Sequence, residues 1–362
     1  MKIGILSMQK IHNYGSFLQA FSLKMQFEDR GHDVYFIDIL PGKQIVSAPE
    51  AQSRLSLCSK FDKYVLKRIE HYLLEKKMDR IYSNAQENYL ETGKRLADGE
   101  NFDLAMIGSD EVFNATVPGW WGFSTQLFGD IENARRVVTY AASCGHTTFD
   151  AAQKYGIVEE LRETMSNLEH ISVRDQNTAE FVSCVLDMQP ELHVDPVFIS
   201  DFDQFIPELK RRNPYMLVYA YPNRIYEEKE VAAIKNYAKK HGLDILCVGM
   251  QQRWCKHNIP ATAFELLAYV KGARCIVTDT FHGTVFSAKY NKRFVSFIRE
   301  SNRNKLGGLL NQLGLVERAV ENIDQLERIM DSEIDYNAVN RVIEQERQKS
   351  YGYLDMVTQA EG

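Results

Sequence analysis

The chain lacks most of the features that assign a protein at a glance. Its six cysteines (Cys58, Cys144, Cys184, Cys247, Cys255 and Cys275) form no C-x-x-C pair, which argues against a paired-thiolate metal centre or a dithiol redox motif. Several lie in apolar runs such as Leu246-Cys247-Val248 and read as reduced core thiols of a cytosolic protein. No H-E-x-x-H spacing occurs, so no metal is expected in the chemistry. Basic charge is not in excess: 43 Lys and Arg against 49 Asp and Glu give a net charge of -6, which excludes a general nucleic-acid footprint. Any anionic ligand must then be met by a local basic site. No apolar run is long enough to span a bilayer, and Met1-Lys2-Ile3-Gly4-Ile5-Leu6 reads as a first strand and not a signal peptide. Internal repeats, low-complexity tracts and Pro/Gly/Ser linkers are absent too.

What the chain does have is alternation. Strand patterns at 2–8, 34–38, 104–108, 137–142, 171–174 and 192–195 are separated mostly by helical patterns. After the Asp195-Pro196 turn a second series follows at 216–220, 244–248, 274–278 and 294–297, with helices expected over 227–241 and 264–273. Alternation of this kind predicts an α/β protein with two Rossmann-like, doubly wound parallel domains facing a cleft. The expected domains are 1–195, taken as the acceptor side, and 196–321, the donor side; a polar helical segment, 322–362, packs back. A basic amphipathic pattern over 60–82 would permit peripheral membrane contact, although interleaved acids (Asp62, Glu70, Glu75, Asp79) favour a solvated surface helix.

The chemistry-bearing residues cluster at expected strand ends, where ligands of open α/β sheets bind. Asn13-Tyr14-Gly15-Ser16 is a turn entering a helix and is not G-x-G-x-x-G; Asn13 or Ser16 capping that helix explains it equally well. Ser109, Asp110 and Asn114 follow the third strand, and Asp110 could orient or deprotonate a hydroxyl, or cap. Ser143 ends a strand of small residues. Arg174 offers a planar fork to a carboxylate or phosphate, or pairs with Asp175 or another acid. Thr280, His282, Gly283 and Thr284 lie where an apolar strand runs into a helix, which places a titratable imidazole at an anion-binding helix start or makes it a simple cap.

In order, Asn13-Tyr14-Gly15-x-x-Leu18-Gln19-Ala20, Ile107-Gly108-Ser109-Asp110-x-Val112-x-Asn114, Tyr140-Ala141-Ala142-Ser143, Ser172-Val173-Arg174-Asp175, Asp195-Pro196 and Thr278-Asp279-x-Phe281-His282-Gly283-Thr284 closely resemble the polysaccharide pyruvyl transferase family over residues 1–300. That resemblance implies a glycosyltransferase-B-like pair of domains and phosphoenolpyruvate as donor. It also implies a saccharide acceptor in a bacterial surface polysaccharide or its precursor, free or lipid-linked, and a cyclic pyruvate ketal as product. No redox cofactor and no obligatory metal are implied, and the setting is the cytoplasm or the inner face of the cell membrane. By position His282 and Arg174 match the family's histidine and donor-gripping arginine, and Asp110 is assigned to the acceptor hydroxyl. One branch of the family has Arg-x-His where this chain has Thr280-Phe281-His282, so another cation must help hold the donor. Arg253, Arg299, Arg303 and Lys305 are the candidates. A sugar-nucleotide glycosyltransferase and a non-catalytic carbohydrate-binding relative stand as alternatives.

Overall fold

The structure is a computed structural model and describes residues 1–46, 63–116, 118–211, 213–222 and 224–359, with only the backbone over 63–71. Cys58 and the first residues of the amphipathic pattern, Lys60, Phe61 and Asp62, lie outside the described residues. The chain divides into two compact units, Met1–Pro196 together with the residues from Leu354 on, and Val197–Tyr353.

The first unit is built on β1 (Lys2–Leu6), α1 (Tyr14–Glu28), β2 (Asp33–Phe36), α2 (Lys63–Ala85), β3 (Leu104–Ile107) and β4 (Val137–Thr139). It continues through α3 (Phe149–Lys154), α4 (Val158–Met165), β5 (Ser172–Val173), α5 (Gln176–Leu186) and β6 (Glu191–Leu192). A four-stranded sheet of order β2-β1-β3-β4 is parallel throughout. The short β5-β6 ladder, also parallel, is carried onto β4 by the bridges Val138 to His170 and Ala142 to Val173. Every residue of β3 is buried, as a strand covered on both faces requires, so it reads as a continuous apolar run. Helix α1 is buried along most of its length, which explains why its sequence shows little polar stripe. Tyr82 of α2 packs over it against His12 and Tyr14, whereas Tyr72 and Leu73 on the same helix are exposed.

The second unit opens with α6 (Pro196–Ile199) and runs β7 (Tyr215–Tyr219), α7 (Glu228–Lys240), β8 (Asp244–Val248), β9 (His257–Ile259), α8 (Ala263–Gly272), β10 (Cys275–Thr278), α9 (Phe281–Lys289) and β11 (Phe294–Phe297). After α10 (Arg303–Gln312), β12 (Ala319–Val320), α11 (Leu326–Asp331) and α12 (Tyr336–Thr358) complete it. Its sheet has six parallel strands in the order β12-β11-β10-β7-β8-β9. The order places β10 centrally and reverses at β7-β10, the kind of switch point where two adjacent loops diverge above a sheet. Two Rossmann-like parallel units are therefore present. Strands β9 and β12 were not expected; each is three residues or shorter and too small to show a hydrophobic period. Residues 322–353, expected to form a separate segment, are counted with the second unit, and α12 continues into the residues counted with the first. Among the described residues no helix is long and apolar enough to cross a membrane.

A buried ion pair ties the end of the first unit to its first helix. Asp195 Oδ2 accepts from Arg174 Nη1 at 3.1 Å and from Gln19 Nε2 at 2.5 Å, with the Arg and Asp side chains only 4% and 1% exposed. Removing the acid strands a buried guanidinium, so Asp195→Ala should destabilise the first unit by about 3–5 kcal/mol. Urea unfolding followed by a probe in that unit checks this; an unchanged midpoint would show that the pair is not structural.

Candidate active site

In the first unit the predicted residues gather at the carboxyl edge of the sheet. Asp110 follows β3 with φ 81°, a left-handed conformation unfavourable for a residue with a Cβ, and its Oδ2 accepts the Ser16 hydroxyl at 2.5 Å. Beside it Ser109 is buried; its carbonyl accepts from Ser7 Oγ at 3.1 Å, and its own Oγ has no hydrogen-bond partner. Asp110 is thus an incompletely covered carboxylate, held by one hydroxyl and strained backbone. That combination marks functional positions more often than scaffold.

The other candidates of this edge serve the fold. Asn13, and not Ser16, caps α1: its Oδ1 accepts from the amides of Gly15 at 2.7 Å and Ser16 at 3.4 Å. Tyr14 is buried with its hydroxyl 3.7 Å from Met78 Sδ. Asn114 bridges Glu111 Oε2 and Thr147 Oγ1 at 2.7 and 2.8 Å, and Ser143 Oγ donates to Asp175 Oδ2 at 2.7 Å. Arg174 pairs with Asp195 and not with Asp175, which instead caps α5 through Thr178. The pair with Asp195 engages Nη1 of the Arg174 fork inside the unit.

In the second unit β10 delivers Thr278 and Asp279 to the start of α9. Thr280 caps this helix, its Oγ1 accepting from the Gly283 amide at 2.9 Å and lying 3.1 Å from Thr278 Oγ1. A Cβ at Gly283 would come within 2.0 Å of Thr278 Oγ1, so only glycine lets the helix sit this close to the strand end. Thr284 hydrogen-bonds Ser296 Oγ at 2.5 Å and is likewise internal. His282 is 8% exposed, with Phe281 edge-on at 5.3 Å and Phe286 at 5.9 Å between ring centres. The imidazole thus stands in an aromatic setting on the first turn of α9, where the helix dipole favours negative charge.

Asp279 and Arg224 are the residues that sequence reasoning missed. Asp279 is 1% exposed; its Oδ1 accepts from the Tyr221 amide at 3.0 Å, while Oδ2 has no hydrogen-bond partner. Burial pushes its carboxyl up to about 6, against the pull of Arg224 and Arg299. Arg224 lies with Nε 3.8 Å from Asp279 Oδ2 and its guanidinium 5.0 Å from the centre of the Tyr221 ring. Asp279 was visible in the Thr-Asp-x-Phe-His-Gly run, whereas Arg224 sits in a polar loop with no pattern around it. Of the expected cations, Arg299 pairs with Glu230 at 2.6 Å and Arg303 with Glu321 at 2.5 Å; Arg253 is exposed, and Lys305 is half-buried. Two concave patches of the first unit lie at the amino edge of its sheet, around Lys2, Asp103, Arg135 and Arg136.

The family model described as Polysaccharide pyruvyl transferase matches residues 13–301. No curated protein matches the chain closely. Among solved structures, the chain resembles the spinosyn rhamnosyltransferase SpnG at 9% identity and TM-score 0.45, covering 99% of this chain and 100% of that one. It resembles the calicheamicin glycosyltransferase CalG4 at 13% identity and TM-score 0.43, covering 98% and 97%. It also resembles UDP-GlcNAc 2-epimerase from Methanocaldococcus jannaschii at 10% identity and TM-score 0.48, covering 95% and 99%.

The raised carboxyl of Asp279 makes stability depend on pH with a definite sign. Between its usual value of 3.8 and about 6 the folded state holds a proton that the unfolded chain releases, so stability falls as pH rises through this window. The loss should approach ~3 kcal/mol at most. Denaturant titrations of the wild type and of Asp279→Asn at pH 4, 5, 6 and 7 check it. The substitution should remove this component, and equal pH slopes for the two proteins would refute it.

Proposed function

The chain belongs to the polysaccharide pyruvyl transferase family, and from that membership we propose that it transfers pyruvate from phosphoenolpyruvate to a sugar of a bacterial surface polysaccharide or its precursor. The product is a cyclic pyruvate ketal and the leaving group is phosphate. The observation that carries this reading is His282 at the start of α9, on a helix seated against β10 by Gly283 and within the matched residues.

The chemistry asks for a proton donor, a negative-charge holder and an acceptor base. His282 delivers a proton to the methylene carbon of the donor; the double-bond electrons form the new C–H bond and leave an oxocarbenium-like centre at the carbon bearing phosphate. One sugar hydroxyl oxygen bonds to that centre and gives up its proton, with Asp110 assigned to orient the hydroxyl and take it. The C–O bond to phosphate then breaks, phosphate carries off the electron pair, and a second hydroxyl closes the ring with loss of its proton. Acid–base help of this kind contributes about 10²–10⁴ in rate, and stabilisation of the leaving phosphate by fixed charge adds to it. Ser16, which donates to Asp110, holds the carboxylate in place. The reading invokes no metal and no redox cofactor. Arg174 keeps its proposed role as an anchor for the donor's negative charge, with Nη1 held by Asp195.

Mass spectrometry of candidate oligosaccharides incubated with phosphoenolpyruvate tests the reading: a mass gain matching a pyruvate ketal, with phosphate release, is expected. Release of nucleoside diphosphate from a sugar nucleotide, with no use of phosphoenolpyruvate, would replace it by glycosyl transfer. His282→Ala should unfold near the wild-type temperature yet lose at least about 100-fold in turnover. Normal turnover by the folded variant would remove His282 from the mechanism. Turnover should also survive thorough chelation, and rescue of a chelated, inactive enzyme by magnesium would count against the metal-free route.

A further inference from the structure

The departure of Thr280 from the Arg-x-His form leaves open which cation holds the donor, and the second unit contains a candidate that its sequence does not advertise. We propose that Arg224 grips the phosphate group of the donor beside the start of α9, aimed there by Asp279 and by the ring of Tyr221; the identity of the donor rests on the pyruvyl-transfer reading.

Strands β7 and β10 are neighbours in register, Tyr219 opposite Thr278, so the chain leaves the two strand ends side by side. The β7 loop is then fixed by three hydrogen bonds. The Tyr221 amide donates to Asp279 Oδ1 at 3.0 Å, and Gln252, itself buried, donates from Nε2 to the carbonyls of Ala220 and Tyr221 at 2.9 and 3.0 Å. Arg224 follows on this anchored loop, and its own carbonyl accepts from Arg299 Nη2 at 3.2 Å. Its position relative to Asp279, which immediately precedes the cap of α9, is therefore set by backbone as well as side chains.

The state of the guanidinium matters next. At 3.8 Å its Nε is too far from Asp279 Oδ2 for a hydrogen bond, and the side chain keeps 38% of its surface exposed. Its planar donors can meet a phosphate two at a time while the Tyr221 ring supports the opposite face. Arg299 is placed differently: it closes at 2.6 Å on Glu230, a nearly buried acid, and is held as part of the scaffold. Arg303 pairs with Glu321.

Asp279 points to the same arginine. A carboxylate oxygen that is buried and accepts no hydrogen bond is costly to keep. The cost is explained if the acid serves to aim a nearby arginine at a ligand and not to consume its hydrogen bonds. Asp279 is on this account a positioning residue, and Arg224 the residue that touches substrate.

Calorimetric titration of the full chain at pH 8 with phosphoenolpyruvate and, separately, with inorganic phosphate tests the proposal. Arg224→Ala should weaken both at least about tenfold while the variant still melts in one cooperative transition, and Arg224→Lys should recover part of the loss. Asp279→Asn should also weaken binding although it removes a negative charge, because the arginine loses its aim; an acid without this role would strengthen anion binding when neutralised. Equal affinities in the wild type and Arg224→Ala, or tighter binding in Asp279→Asn, would overturn the respective assignments while leaving pyruvyl transfer standing. Phosphate binding that depends on Arg224, with no binding of phosphoenolpyruvate, would sustain the phosphate grip and overturn the donor. Binding of neither anion would overturn both.

Discussion

Asp195 organises the first unit. This single buried carboxylate accepts hydrogen bonds from Gln19 in α1 and from Arg174 at the end of β5, so it joins the first helix of the chain to a strand edge more than 150 residues later. The hydroxyl of Tyr140 closes the same corner by donating to the Val194 carbonyl at 3.1 Å. With α1 anchored in this way, Ser16 at its first turn is carried to Asp110, and the strained conformation of Asp110 is held from outside. A partly exposed carboxylate with φ 81° needs such support, since nothing in its local sequence favours the left-handed region over an ordinary turn.

The second unit uses its buried acid in the opposite sense. Asp279 has one oxygen satisfied by backbone and the other left without a hydrogen bond beside a guanidinium at longer range. A satisfied acid such as Asp195 fixes structure; an unsatisfied one keeps an arginine near without immobilising its donors. The two Arg-Asp pairs, Arg174 with Asp195 and Arg224 with Asp279, therefore differ in kind. The first is closed and dry, and the second is open on its arginine side.

Much of this was legible in the residues. The alternation of apolar runs and helical periods gave parallel α/β units because fully covered strands must be uniformly apolar, as in Leu104-Ala105-Met106-Ile107. The strand-end position of Asp110 and His282 followed from the same pattern. Local sequence does not reveal how a side chain's hydrogen bonds are distributed. Asn114, Ser143 and Thr284 have the right chemistry for a ligand and use it internally, while Arg174 meets a partner 21 positions away that no periodicity connects to it. Arg224 was hidden for the converse reason: its significance comes from β7 lying next to β10, a long-range adjacency created by the order in which strands enter the sheet.

Asn302 is a small feature with a mechanical meaning. Its amide nitrogen donates both to the Asp279 carbonyl at 3.0 Å and to the Phe297 carbonyl at 3.1 Å, pinning the ends of β10 and β11 to the residue that opens α10. The loop carrying Arg299 therefore cannot be exchanged as a free module. A graft spanning 299–306 that omitted this amide would release two buried carbonyls at once and loosen the platform under α9. Diversity in this part of the molecule has room instead at exposed positions farther along α10, such as Gly308 and Asn311, between its buried leucines.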